Sequence, residues 1–198
     1  VDPRPLRRLS EAERRLAATA RPLRGMRPPR FATLFEAFAS VIPFQQLSLD
    51  AGVAIVGRLV ERYGDSVEHD ARPFYAFPEA RSVASARLDA LRRCGLSGAK
   101  AETLRRVARL IESGELTAAK LEQMSSAEAI ERLTEIEGIG VWSASLVLLR
   151  GMGRLDVFPP GDVGVTRGLG QLLRLAPGQS LDRVVRRFGE RRGYLYFH

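Results

Sequence analysis

Two short stretches are most informative about the fold of this chain: IEGIGVWSAS at residues 136–145 and DVFPPGD at residues 156–162. The first is typical of a tight Gly-x-Gly turn between two helices, because Gly138 and Gly140 lack the Cβ atoms that would block close backbone approach. The N–H groups at the start of the next helix then point outward, where the helix dipole helps them to bind a phosphate. A lone Gly-x-Gly is more often an ordinary helix end, but the apolar residues around it suit the packing of a helix-hairpin-helix and strengthen that interpretation.

The second stretch is a proline-rich loop that ends at Asp162, 24 residues after Gly138 (162 − 138). Aspartate is a favoured N-cap, so we expect Asp162 to cap the next helix. Capping does not exclude catalysis, because an ionised carboxylate stabilises the oxocarbenium-like transition state of N-glycosidic bond cleavage. Asp156 is the competing acid, which we interpret as a loop-structuring residue. A phosphate clamp and a placed acid together indicate a DNA base-excision glycosylase.

A base flipped out of DNA must stack on a flat surface, and Trp142 is the single tryptophan of the chain. Core packing is the usual role of a helical aromatic residue, but an indole near the acid suits a base pocket. Gln45 and Gln46 occupy a break between two helices. The sequence alone favours a solvated pair there, and the alternative is a flat polar side chain that enters the hole left by the base. Further pocket candidates are Phe44, Phe158, Tyr194 and Tyr196.

Composition excludes several classes of protein. Cys94 is the single cysteine and only two histidines are present, so we expect neither a disulfide framework nor a metal site built from side chains. No apolar run reaches the roughly 20 residues of a membrane helix, and we expect a cytoplasmic protein. The 31 Lys and Arg against 23 Asp and Glu give a net charge of +8, which is typical of nucleic-acid binders but also of proteins that bind acidic partners or membrane surfaces.

Hydrophobic periodicity is helical nearly throughout, which predicts an all-α protein. We expect an N-terminal helix and a Pro/Arg-rich link at residues 1–30, followed by a core at residues 31–198. Within the core, lobe one would comprise residues 31–45 and 136–198, and lobe two residues 46–135. The predicted helices span residues 11–20, 31–40, 49–63, 82–94, 98–113, 126–137, 140–152, 162–175 and 181–190, with a loop and a short helical turn at 65–80.

Taken together, the Gly-Ile-Gly turn, Trp142, Ala144 and the loop that ends at Asp162 resemble the helix-hairpin-helix, Gly/Pro-rich loop and catalytic-acid signature of a DNA glycosylase superfamily. The resemblance covers about residues 31–198 and is closest to 3-methyladenine DNA glycosylase II, the alkylation-repair branch. It implies a two-lobed helical helix-hairpin-helix glycosylase fold. The residues before Phe31 are too few for the extra N-terminal α/β domain of the best-studied enzymes.

By this resemblance, Asp162 is the catalytic carboxylate, Trp142 is a wall of the base pocket and Gln46 is the wedge that intercalates into DNA. Bifunctional relatives carry a Schiff-base lysine at the hairpin position that Trp142 occupies here, so the resemblance implies a monofunctional, monomeric enzyme without a cofactor. Its substrate is duplex DNA with alkylated bases of the 3-methyladenine type. A monovalent cation is expected at the hairpin backbone that holds the DNA phosphate, formed by Gly138, Ile139 and Gly140.

Three alternatives stay open at the level of sequence. A glycosylase for oxidised or deaminated purines would keep the same hairpin and acid. A non-catalytic helix-hairpin-helix DNA-binding module would keep the turn and the basic surface but would need neither Asp162 nor an empty pocket. A helical bundle that binds an acidic protein would show no steep salt dependence of DNA affinity.

Overall fold

The computed structural model of the protein describes residues 16–22, 26–175 and 180–197 and is helical over most of them, which confirms the predicted all-α class. Of the predicted first helix, residues 11–15 lie outside the described ranges. Two 3₁₀ segments, Ile42–Phe44 and Gly189–Phe197, and a π-helical turn, Leu148–Met152, complete the helical part. The α-helices are α1 (Ala17–Ala20), α2 (Leu34–Ala39), α3 (Leu49–Tyr63), α4 (Ala80–Ala84), α5 (Leu88–Arg93), α6 (Gly98–Glu112), α7 (Ala118–Glu122), α8 (Ser126–Thr134), α9 (Val141–Val147), α10 (Val163–Leu172) and α11 (Leu181–Arg186).

The prediction of a loop with a helical turn at residues 65–80 is wrong, because Ser66–His69 (β1) pairs antiparallel with Arg72–Tyr75 (β2). The strands join through Asp70 and Ala71, whose φ angles of 50° and 57° suit a two-residue hairpin turn. Every residue of both strands is exposed. Because neither strand has a buried face, the alternating pattern by which a half-buried strand is identified is missing.

The predicted helix at residues 82–94 is in fact two helices, α4 and α5. Ser85 ends α4, and its hydroxyl donates to the carbonyl groups of Arg81 (3.0 Å) and Ser82 (3.4 Å). Serine side chains compete with helical hydrogen bonds in this way, which explains the break. The predicted helix at 140–152 is also interrupted, because its last turn widens into the π-helical Leu148–Met152 before Gly153 ends it at a φ of 72°.

Helix α6 lies in the larger of two hydrophobic cores and packs against α2, α4 and α5. This core joins Phe38 of α2, Leu104 of α6 and Val147 of α9, so it extends across both predicted lobe boundaries, and the lobe limits stay a prediction. The smaller core holds α10, α11 and the C-terminal 3₁₀ segment together with Leu16. Among the described residues, no helix combines the length and apolar character needed to cross a membrane.

Candidate active site

An open cleft of about 1350 Å³ is lined by the segment after α2, by α3, by the start of α6, by the hairpin and α9, and by the start of α10. Apolar and aromatic side chains form much of its wall, including Val53 of α3, whose side chain is 56% exposed. The candidate site residues that line this cleft are Phe44, Gln45, Gln46, Gly138, Gly140, Trp142, Asp162 and Tyr196.

Asp162 caps α10 as predicted, because its Oδ1 accepts a hydrogen bond from the Val165 N–H (3.0 Å). Its other oxygen, Oδ2, accepts from Trp142 Nε1 (3.0 Å) and from the Tyr196 hydroxyl (3.1 Å). The carboxylate is half-buried at the cleft wall. Three donors from three separate segments therefore fix its orientation toward whatever occupies the cleft.

Tyr196 contacts the candidate acid directly, because its hydroxyl donates to Asp162, 34 residues earlier in the chain. Burial, reinforced by the negative charge of Asp162, raises the pKa of Tyr196 far above its ordinary value. The phenol therefore stays protonated and remains a hydrogen-bond donor. No local pattern connects two residues so far apart, so the sequence indicates Tyr196 only as a pocket aromatic.

The structure corrects the position of Phe158, which does not line the cleft. Its ring packs on the smaller core and meets Tyr196 edge-on, with ring centroids 6.4 Å apart and an interplanar angle of 75°. Phe158 therefore lies between Tyr196 and the smaller core. Asp156 does not line the cleft either, and its carbonyl oxygen accepts a hydrogen bond from Arg192.

The two glycines of the hairpin turn, Gly138 and Gly140, have different surroundings. Gly138 has a φ of 89°, and an added Cβ would collide with Thr103 Oγ1 and lie 3.0 Å from Thr103 Cβ. Its missing side chain therefore makes room for α6. An added Cβ at Gly140 would meet nothing within 4 Å, which leaves the start of α9 open to a ligand. Ile139 between them is buried and anchors the turn.

Gln45 and Gln46 differ in their contacts. The side-chain amide of Gln45 donates to the Gly138 carbonyl (2.9 Å) and to Ser143 Oγ (2.9 Å), so Gln45 is tied to the hairpin. Gln46 is exposed at the cleft with a φ of 55°, in the left-handed region. The Gln46 side chain is therefore accessible from the cleft.

Two carbonyl groups of the hairpin accept side-chain hydrogen bonds from other segments. The Glu137 carbonyl accepts from Thr103 Oγ1 (3.2 Å) and Arg106 (3.3 Å), and the Gly138 carbonyl accepts from Gln45. Within the described residues, no group of three or more His, Cys, Asp and Glu side chains could hold a metal ion.

Two cations on the cleft wall, Lys100 and Arg150, were not expected there from the sequence. Arg150 follows α9 in the π-helical turn, and its guanidinium lies over the rings of Phe31 (4.9 Å) and Phe197 (5.7 Å). The amino group of Lys100 donates to two backbone carbonyl groups. Their placement depends on segments that are distant in sequence.

The chain is similar to known DNA repair proteins. A family model described as "HhH-GPD superfamily base excision DNA repair protein" matches residues 39–191. DNA-3-methyladenine glycosylase of Bacillus subtilis (strain 168) is 30% identical over 181 residues, which cover 91% of this chain and 60% of the relative. DNA-3-methyladenine glycosylase 1 of Schizosaccharomyces pombe is 32% identical over 163 residues, 81% of this chain and 66% of the relative.

Among solved structures, a 3-methyladenine DNA glycosylase from Archaeoglobus fulgidus is similar with a TM-score of 0.82 and 31% identity. The match covers 98% of this chain and 69% of that chain. In the sequence comparison, the chain spans 60% of the length of the Bacillus subtilis relative.

Proposed function

Because the chain belongs to the HhH-GPD superfamily of base excision DNA repair proteins, we propose that it is a monofunctional DNA glycosylase for alkylated bases of the 3-methyladenine type in duplex DNA. The names of its relatives support this substrate class. The observation that carries the proposal is the carboxylate of Asp162, held by three donors at the wall of a largely apolar cleft.

In the proposed reaction, an extruded nucleotide enters the cleft and its base stacks on the aromatic wall that includes Trp142 and Phe44. An alkylated purine carries positive charge, so the base leaves with the electrons of the N-glycosidic bond and needs little acid catalysis. Asp162 stabilises the cationic sugar that forms. Water then adds its oxygen to the anomeric carbon and releases a proton, which leaves an abasic site.

The grip on DNA would come from two neighbouring turns. The backbone N–H groups at the hairpin and the start of α9 bind a phosphate, and Gln46 fills the space that the flipped base leaves. The net charge of +8 adds attraction to the phosphates, so affinity should fall steeply with salt. The hairpin carries Trp142 where a lyase would need its Schiff-base lysine, which supports hydrolysis without strand cleavage.

The proposal is tested by base release from methylated duplex DNA, with Asp162→Asn compared to wild type and Asp156→Asn as the matched control outside the cleft. We expect release by wild type and by Asp156→Asn. Loss of the charge at Asp162 should lower release by about 10²–10³-fold, the range measured when a transition-state stabilising group is removed. Affinity for undamaged DNA should stay within about twofold, since phosphate contacts dominate it.

Two results would contradict the proposal. Asp162→Asn with full activity would remove the acid from the mechanism. DNA binding without release of any methylated base would instead favour another lesion or the non-catalytic binding module. Borohydride treatment during turnover adds a further check, because trapping of a covalent enzyme–DNA adduct would show a lyase.

A further inference from the structure

Lys100 lines the cleft, yet no step of the proposed reaction uses it. It lies in the first turn of α6, which Ser97 caps. Its amino group donates to the carbonyl groups of Pro43 (3.0 Å) and Gln45 (2.6 Å) at the end of the 3₁₀ turn before Gln46. Burial lowers the pKa of Lys100, so these carbonyl groups compensate part of the hydration that the ammonium has lost.

The next turn of α6 contacts the hairpin. Thr103, one turn after Lys100, donates to the Glu137 carbonyl (3.2 Å). Gln45 closes the arrangement, because its side chain donates to the Gly138 carbonyl (2.9 Å) while its own carbonyl accepts from Lys100. Hydrogen bonds therefore connect the turn that carries Gln46 to the turn proposed to bind phosphate, directly and through α6.

The backbone at Gln46 needs such support. Its φ of 55° is in the left-handed region that favours glycine, and a non-glycine residue persists there when its surroundings hold it. Lys100 binds the carbonyl group immediately before this strained position. Without that bond, the backbone at Gln46 could relax to a commoner conformation and move the side chain away from the duplex.

We propose that Lys100 is a positioning residue that holds the Gln45–Gln46 turn against the hairpin, so that Gln46 meets DNA at a fixed distance from the bound phosphate. This inference rests on the proposed function. It separates two properties of the protein: the grip on phosphate does not need Lys100, whereas the insertion of Gln46 and the extrusion of the base do.

The test compares Lys100→Met with Lys120→Met, a matched control whose amino group also donates to backbone carbonyl groups, those of Gly114 and Glu115, but away from the cleft. Three quantities are measured: the single-turnover rate of methylpurine release at saturating enzyme, the dissociation constant for undamaged duplex, and the fluorescence of 2-aminopurine placed beside an abasic-site analogue. The fluorescence reports unstacking by the wedge and needs no catalysis.

For Lys100→Met we expect a rate about tenfold lower and a weaker fluorescence gain, the scale of losing charged hydrogen bonds that hold the wedge. The dissociation constant should change less than about twofold. Lys100→Arg, which keeps a cationic donor, should restore most of both losses, and Lys120→Met should behave like wild type. In a Gln46→Ala background, Lys100→Met should cost nothing further, because the positioned side chain is gone.

The proposal is overturned if Lys100→Met lowers the rate equally in both backgrounds, or if Lys120→Met has the same effect. Should Lys100→Met not fold, Lys100→Gln enters the same comparison, since it shortens the side chain and removes the ammonium group that donates to the two carbonyl groups. If wild type releases no base but its 2-aminopurine signal depends on Lys100, the proposed activity fails and the positioning role stands. If wild type is active and indifferent to Lys100, the positioning role alone fails.

Discussion

Substitution of Gly138 by alanine should destabilise the protein through two effects that the structure separates. A non-glycine residue at a φ of 89° costs roughly 1–2 kcal/mol. The new Cβ also collides with Thr103 Oγ1, which must move and give up its hydrogen bond to the Glu137 carbonyl, a loss of about 1 kcal/mol. The free energy of unfolding should therefore fall by about 2–3 kcal/mol.

Gly140→Ala is the matched control two residues along the same turn. Its φ of −90° suits any residue, and an added Cβ meets nothing within 4 Å. Alanine is a poorer N-cap than glycine by roughly 0.5 kcal/mol, but it reduces the entropy of the unfolded chain by a similar amount. Urea unfolding of Gly140→Ala should therefore match wild type within about 0.5 kcal/mol.

A double-mutant cycle identifies the cause. Thr103→Ala removes the colliding hydroxyl, so the cost of Gly138→Ala should be about 1 kcal/mol smaller in that background than in wild type. Equal free energies of unfolding for Gly138→Ala and Gly140→Ala would contradict the close contact between the hairpin and α6. An additive cycle would show that the Thr103 hydroxyl adds nothing to the cost, which would then come from the φ angle and the contact with Thr103 Cβ.

Three further outcomes are expected from groups in and near the cleft. Tyr196→Phe removes one of the donors to Asp162 Oδ2, so the single-turnover rate of base release should fall roughly fivefold to tenfold while the affinity for DNA stays the same. The control Tyr75→Phe, on an exposed strand, should change neither quantity. The native pKa of Tyr196 lies above its unfolded value of about 10, so its contribution to stability is complete below pH 10 and is lost as the pH rises further. The difference between the absorbance titrations of wild type and Tyr196→Phe should show a phenol that ionises only well above pH 10. An ordinary tyrosine titration in this difference would contradict the burial of Tyr196. Burial raises the pKa of the Cys94 thiol, so a thiol-reactive disulfide should modify it on the order of a hundredfold more slowly in the native protein than in denaturant, and equal rates would show that the core around it is open.

Local features of the site could be predicted because their causes lie within a few residues. The N-cap at Asp162 follows from aspartate after a proline-rich loop, and the turn at Gly138 follows from the glycine spacing. The family could be identified for the same reason, since its signature is an ordered set of local motifs. The strands at residues 66–75 were missed because both faces are exposed, and the break at Ser85 because one serine overrides a helical pattern.

The sequence by itself determined the helical class, the caps and turns, and the residues able to carry the chemistry. Tertiary structure alone decided which of those residues meet. The bonds of Tyr196 and Trp142 to Asp162, and of Lys100 to the turn before Gln46, join residues between 20 and 55 positions apart. The position of Phe158, against Tyr196 and the smaller core instead of on the cleft wall, also depends on this packing. Helix propensity and capping act within a few residues, whereas these contacts depend on how the helices pack around two cores, and no local pattern encodes that packing.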